Sequence, residues 1–234
     1  MIPKLVHYTF ATNKFPFEIL ANIENNKTIC PDYEFIFYDN DACDSFIKSN
    51  FNDKIYSAYK KINPEYGAMR ADFFRYCVLF IKGGVYIDIK SSFKYNLSQI
   101  IKETDTCLLD VPRALEKWRK TAPTFEQWVL IFAPNHPYLR TMIMLMTDYI
   151  TKGFIPEFKN KLYRMTSKEL VLNITGPDAF TKAVLATIKI SKMLMHRTIN
   201  YMEYFTYTSV PNYKSMYVIN SLKHYSDSEA PIYL

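Results

Sequence analysis

Residues Gly67–Ser92 read GAMRADFFRYCVLFIKGGVYIDIKSS, and a change of period within that stretch decides the fold. Met69, Phe73, Tyr76 and Phe80 recur at helical spacing, with Ala68, Asp72, Arg75 and Leu79 on another side. Gly83-Gly84 ends the helix, because the left-handed residue that closes a helix costs glycine least. Val85-Tyr86-Ile87 is then a short strand, with Asp88 at its C-terminal end.

Outward from this helix–strand unit the pattern repeats. Lys4–Phe10 reads as a first strand and Pro16–Asn25 as a helix. Glu34–Tyr38 (EFIFY) is β-rich and closes on Asp39-Asn40-Asp41, a turn and helix start. Asp41–Asn50 and Asp53–Ile62 are two short helices, stopped by Asn63-Pro64. Downstream, Thr106–Leu109 and Trp128–Phe132 are strands and His136–Ile150 is a methionine-rich helix. A further helix opens at Thr175-Gly176-Pro177 and runs to Lys189, and Met216–Ile219 reads as a last strand. This alternation predicts an α/β fold, one domain over residues 1–234, with a mostly parallel central sheet flanked by helices. Ligands of such sheets bind beyond the carboxyl ends of the strands, where Asp39 and Asp88 fall.

Composition narrows the function. With 234 residues, 49% hydrophobic and 22% charged, the chain is an ordinary globular protein that needs no staples. The net charge of +6 is spread, with no run of five like charges, which argues against nucleic acid as a partner and suits a small anionic ligand. Cys30, Cys43, Cys77 and Cys107 show no metal-ligand spacing and read as reduced cysteines of an intracellular protein. The longest apolar runs, Tyr76–Ile81 and Trp128–Ala133, are six residues each, against about 20 for a membrane helix. Pro3 and His7 interrupt the opening apolar residues, so no signal peptide or transmembrane segment is expected.

The stretch Ala71-Asp72-x-x-Arg75-Tyr76 followed by Gly83-Gly84-Val85-Tyr86-Ile87-Asp88 resembles the sugar-binding region of the family 32 glycosyltransferases. That family includes fungal initiating mannosyltransferases and capsule-type bacterial and viral enzymes; the clostridial glucosylating toxins carry a similar segment. Ile2-Pro3-Lys4-Leu5-Val6-His7-Tyr8, Ala133-Pro134-Asn135-His136-Pro137 and Thr175-Gly176-Pro177 resemble further family segments in the same order. The resemblance implies a GT-A fold and a retaining transfer from a UDP- or GDP-sugar to a glycan or protein-linked glycan acceptor. It also implies a divalent cation, commonly Mn²⁺, on an Asp-x-Asp pair. Asp72 and Arg75 match residues that hold the sugar, His7 and Tyr8 lie where the family holds the nucleotide base, and Gly176-Pro177 opens a helix that offers backbone N–H groups. His224, with Ser226 and Ser228, resembles a C-terminal segment that closes over the diphosphate, although the family's tryptophan is absent.

The expected acidic pair reads Asp88-Ile89-Lys90. Three readings stand: Asp88 holds metal or ribose while Lys90 contacts phosphate, Lys90 replaces the metal, or activity is lost. The last makes the chain a non-catalytic nucleotide-sugar or glycan binder. Alternate strand residues share a face, so Asp88 and Lys90 should point the same way. The literal Asp39-Asn40-Asp41 reads better as a helix cap than as a metal motif. Asp110 is a further strand-end carboxylate near an acceptor position, and His136 before Pro137 reads as a turn residue. For an Asp72–Arg75 pair three apart on a helix, a plain surface ion pair is worth only about 0.2–0.5 kcal/mol. A cytoplasmic bacterial or viral glycan pathway, with peripheral membrane contact at most, completes the expectation.

Overall fold

Helix α4 (Gly67–Lys82) runs between the central sheet and the helices outside it, and buries nine side chains along its length. The computed structural model describes residues 1–111, 124–153, 166–193, 195–213 and 230–234. Before α4 the chain forms β1 (Leu5–Thr9), α1 (Phe17–Ile29), β2 (Glu34–Tyr38), α2 (Asn40–Asn50) and α3 (Asp53–Lys61). After it come β3 (Gly84–Ile87), β4 (Ser92–Phe93), β5 (Cys107–Asp110), β6 (Val129–Phe132) and α5 (Pro137–Lys152). The remaining elements are α6 (Ser167–Ile174), α7 (Pro177–Ser191), β7 (Arg197–Ile199), α8 (Tyr201–Tyr204) and β8 (Phe205–Thr206). The strand expected at 216–219 lies outside the described residues.

The main sheet has the order β2-β1-β3-β6-β5-β7. β1 is parallel to both β2 and β3, and β5 is parallel to β7, whereas β6 runs antiparallel to its two neighbours. The sheet is thus mostly parallel with one reversed strand. That reversal matters for the site: it brings the start of β6, after Gln127 and Trp128, beside the end of β3.

Side-chain alternation divides the core between two faces. Tyr86, Leu130, Phe132, Cys107 and Leu109 pack with α4, α5 and α7, while Val6, Tyr8, Val85, Ile87, Val129 and Ile131 pack with α1, β4 and the segment 199–210. All residues of β3, β5 and β6 are buried, as strands covered on both faces require. All four cysteines are free and buried.

The α4-to-β3 turn is tight enough to demand its glycines. Gly83 has φ +66° and Gly84 φ +97°, and a Cβ on Gly84 would lie 2.6 Å from the Leu5 carbonyl oxygen. On Gly83 it would lie 2.7 Å from the Pro134 ring. The short β4–β8 ribbon ties residues 205–206 to the chain just after Asp88. Residues 230–232 also return to α4: the Tyr66 hydroxyl donates to the Ala230 carbonyl at 2.7 Å, and the Asn63 amide N–H to Ile232 at 2.8 Å. Among the described residues no helix is long and apolar enough to cross a membrane.

Candidate active site

Four charged side chains meet at the carboxyl edge of the sheet. Asp72 and Arg75 come from α4, one turn apart, and Asp88 follows β3 directly. The Arg75 guanidinium bridges the two acids: its Nη2 lies 3.1 Å from Asp72 Oδ1 and 3.2 Å from Asp88 Oδ1. Its Nη1 donates to the Gln127 carbonyl at 2.7 Å, and its plane lies over the Tyr86 ring, 4.5 Å from the centroid. This is the fixed-fork use of arginine, which a lysine cannot copy. Lys90 completes the group, with Nζ 3.8 Å from Asp88 Oδ2.

Asp72 is deep, only 5% exposed, and both of its oxygens are engaged. Gln127 Nε2 donates to Oδ1 at 3.2 Å and Thr175 Oγ1 to Oδ2 at 3.1 Å. Burial pushes its carboxyl up to about 6 against the pull of Arg75 and with the push of Asp88.

Asp88 and Lys90 do share a side, by a route other than strand alternation. β3 ends at Ile87, and Asp88-Ile89-Lys90-Ser91 is a turn closed by the Ser91 N–H donating to the Asp88 carbonyl at 2.8 Å. The segment after β8 holds that turn. Ser91 Oγ donates to the Tyr207 carbonyl at 2.6 Å, and the Ser209 N–H to the Lys90 carbonyl at 2.8 Å. The Lys90 ammonium donates to the Tyr207 hydroxyl at 3.1 Å and lies 4.2 Å from that ring's centroid and 5.6 Å from Tyr213's. Tyr207 is 46% exposed and packs edge-on against Trp128, centroids 5.2 Å apart.

The other expected residues lie elsewhere. His7 is fully buried beneath the α4 turn: its Nε2–H donates to the Gly83 carbonyl at 2.9 Å and its Nδ1 faces the Tyr38 hydroxyl at 3.5 Å. Burial pushes it down to about 4, so it is neutral. Tyr8 points to the opposite core, where its hydroxyl accepts from Asn26 Nδ2 at 2.7 Å. Neither side chain reaches the open edge. Gly176 caps α7, where a Cβ would lie 2.5 Å from the Leu172 Cα; its neighbour Thr175 is the residue that touches Asp72. Asp110 is buried, and its Oδ1 accepts from the Tyr201 N–H at 2.8 Å. His224 lies outside the described residues.

Asp39 caps α2 through the Ala42 N–H at 2.8 Å, and Asp41 sits exposed in that helix's first turn. The cap reading of Asp39 holds. His136 caps α5 and is pushed down to about 4 by burial. It lines a cavity of about 580 Å³ with Asn135, Met193, His196 and Arg197, at the opposite edge of the sheet. Its imidazole Nε2 is bonded to the Met195 carbonyl, Tyr138 pairs with His196, and Arg197 is paired with Asp105. The charged edge is therefore the better candidate for chemistry.

The described residues do not fit a resident divalent cation. Among the described residues no three His, Cys, Asp or Glu side chains gather to hold one. Each Asp88 oxygen already faces a cation, and Asp72 is enclosed. An ion with two charges placed about 4 Å from the Lys90 ammonium would be repelled by roughly 8 kcal/mol at an effective dielectric of about 20.

Gln127, Thr175 and Tyr207 are the site neighbours that sequence reading missed as participants. Thr175 was visible as part of a helix start. Gln127 and Tyr207 carry no local signal, because strand pairing alone brings them in.

Known proteins resemble this chain in part of its sequence and in its fold. Residues 16–107 match the family described as glycosyltransferase sugar-binding region containing DXD motif. A mannosyl phosphorylinositol ceramide synthase of Saccharomyces cerevisiae is 30% identical over 157 residues, 67% of this chain and 38% of the relative. The initiation-specific alpha-1,6-mannosyltransferase of Schizosaccharomyces pombe is 29% identical over 79% of this chain and 48% of its own length. The chain thus spans less than half of either relative. The glycosyltransferase domain from the YGT toxin has the same fold: its ligand-free structure superposes with a TM-score of 0.62 at 8% identity, over 92% of this chain and 83% of that one. Its UDP-bound structure gives 0.54 at 8% identity, over 85% and 79%. The resemblance carried by Asp72, Arg75, Gly83-Gly84 and Asp88 is borne out: residues 16–107 are similar to the sugar-binding region of the DXD glycosyltransferases, and the fold is that of a glycosyltransferase domain, with lysine two residues after Asp88.

Proposed function

We propose that the protein is a retaining glycosyltransferase that moves a hexose from a nucleoside diphosphate donor to a hydroxyl of a glycan acceptor. The carrying observation is the enclosed Asp72–Arg75–Asp88 group at the carboxyl edge of the sheet, where a ligand can exchange one charged partner for another. UDP is the first nucleotide to try, since the toxin domain that shares the fold is UDP-bound in one of its structures. GDP is the second, on the sequence likeness to mannosyltransferases.

In this reading Asp72 accepts hydrogen bonds from sugar hydroxyls and Arg75 holds the donor with its planar fork. Asp88 takes ribose hydroxyls, and Lys90 faces the phosphates. The bond between the anomeric carbon and the β-phosphate oxygen breaks with its electron pair on that oxygen. The acceptor oxygen bonds the anomeric carbon on the same face, and its proton passes to the departing phosphate, so no separate enzymic base is needed. The developing negative charge is what fixed cations stabilise best.

The test is a screen of UDP, GDP and their hexose conjugates by melting temperature, followed by donor hydrolysis. A ligand that binds the native state alone at 100 times its Kd adds about 2.7 kcal/mol of stability. One nucleotide should stand out, and its sugar conjugate should be hydrolysed slowly to free nucleotide. Binding without any hydrolysis or transfer would favour the second reading, a non-catalytic nucleotide-sugar binder, which the lysine at position 90 motivates. No shift with any nucleotide would overturn both.

A further inference from the structure

We propose that Lys90, held by Tyr207 and Tyr213, takes the place of a divalent cation in neutralising the donor's diphosphate, so that this chain binds and cleaves its donor without metal. The inference rests on the donor reading above and adds to it the identity of the counter-charge.

Charge balance comes first. Among the described residues, the formal charges of Asp72, Asp88, Arg75 and Lys90 sum to zero, and Asp88 stands between two cations at 3.2 and 3.8 Å. With aspartate at position 90 the same four positions would sum to minus two, the deficit that one divalent ion fills. A single exchange from carboxylate to ammonium thus removes a ligand and supplies the charge that the ligand's ion would have brought.

The ammonium is also built in rather than left to solvent. Lys90 is clamped twice by one segment: its carbonyl accepts from Ser209, and its side chain meets the Tyr207 hydroxyl and ring. Tyr213 closes a second side at 5.6 Å. The β4–β8 ribbon and the Ser91–Tyr207 bond fix that segment to the turn. An aromatic face stabilises a cation without neutralising it, so the tyrosines hold the ammonium in position with its charge intact. Tyr207 is therefore a positioning residue that acts through Lys90. When the bond from the anomeric carbon to phosphate breaks and its electron pair stays on oxygen, Arg75 and Lys90 are, among the described residues, fixed cations at that edge to meet the charge.

The experiment measures UDP and GDP binding and donor hydrolysis in EDTA and in Mn²⁺, for the wild type, Lys90→Asp, Lys90→Met, Tyr207→Ala and Tyr207→Phe. Circular dichroism checks each fold, and electron paramagnetic resonance follows Mn²⁺ itself. The wild type should bind its nucleotide within threefold of equally in both buffers and hold no Mn²⁺ beyond what free nucleotide holds. Lys90→Asp should lose tenfold or more in EDTA, regain it in Mn²⁺, and show bound Mn²⁺. Lys90→Met should lose as much with no rescue, which keeps the test intact if the aspartate variant misfolds. Tyr207→Ala should weaken nucleotide binding several-fold in EDTA, and Tyr207→Phe, which keeps the ring, should recover part of it. Wild-type binding or hydrolysis that requires Mn²⁺ overturns the proposal and leaves the donor reading standing. Failure to bind either nucleotide in either buffer overturns the donor reading and this proposal with it.

Discussion

The two edges of the sheet satisfy buried polar groups by opposite means. At the carboxyl edge, Asp72, Arg75, Asp88 and Lys90 answer charge with charge. At the edge where α4 turns into β3, the same need is met by neutral imidazoles bonded to backbone carbonyls, His7 to Gly83 and His136 to Met195. Ion pairs can be traded for a charged ligand, because the ligand brings an equivalent partner. A neutral imidazole locked on a carbonyl has nothing to gain from exchange, and losing it leaves an orphaned acceptor. One edge is built to be reopened, the other to stay shut.

Breaking the exchangeable edge should abolish turnover and spare the fold. Asp88→Ala removes a partly exposed carboxylate and leaves Arg75 its bond to Asp72. Donor hydrolysis should fall at least a thousandfold, about 4 kcal/mol in the barrier, with a near-native melting curve. Turnover at the wild-type rate would remove Asp88 from the site.

Breaking the shut edge should do the reverse. Gly84→Ala asks a side chain to accept φ +97° and to sit 2.6 Å from the Leu5 carbonyl oxygen. About 3 kcal/mol of stability should be lost, read by urea denaturation. A loss under about 0.5 kcal/mol would mean that the turn relaxes freely.

His7 sharpens the contrast through pH. Its contribution is present above its usual 6.5 and is lost as pH falls through about 4, and His136 behaves alike. Asp72 opposes them: raised from 3.8 to about 6, its contribution is present below 3.8 and lost as pH rises through 6. Two imidazoles against one carboxyl leave a melting temperature that rises from pH 4 to 6.5. His7→Leu should flatten that rise and cost about 1–3 kcal/mol at pH 7, since the Gly83 carbonyl loses its donor. An unchanged pH profile would show that His7 titrates normally.

Arg75→Lys tests whether the fork matters or only the charge. Losing the fork should cost tenfold or more in donor hydrolysis, about 1.4 kcal/mol. Near-normal kinetics would reduce Arg75 to a point charge. The smallest effect belongs to Asp39→Ala, which removes the α2 cap. It should lower stability by about 1 kcal/mol with turnover unchanged, and a loss of turnover would return Asp39 to the site.

Much of this contrast was legible in the sequence because its elements are local. The helix through Asp72 and Arg75, the paired glycines and the strand ending before Asp88 all follow from spacing within residues 67–92. The strand Glu34–Tyr38 is also found as read. The ion pair between Asp72 and Arg75 is found, buried and joined by Asp88 rather than on the surface, and the ligand-holding reading of the two residues is carried by the proposal. Two-residue strands escaped, because Ser92–Phe93 and Phe205–Thr206 are too short to show a period. His7 misled for a related reason: a polar residue near a strand end looks ligand-facing, yet alternation turns it under α4. Tyr207 is one tyrosine of 19 until the fold sets it against Lys90.

The clamp on Lys90 also sets an order in time. Lys90 and Tyr207 are 117 residues apart, whereas Asp72, Arg75 and Asp88 lie within one helix–strand unit. Translation completes the acidic half of the centre early and leaves its ammonium unanchored until more than a hundred further residues have emerged, a long loop to close. A ribosome-bound chain therefore passes through a stage with a sheet and an arginine but no positioned lysine. Anchoring of the Lys90 ammonium therefore waits for the segment around Tyr207.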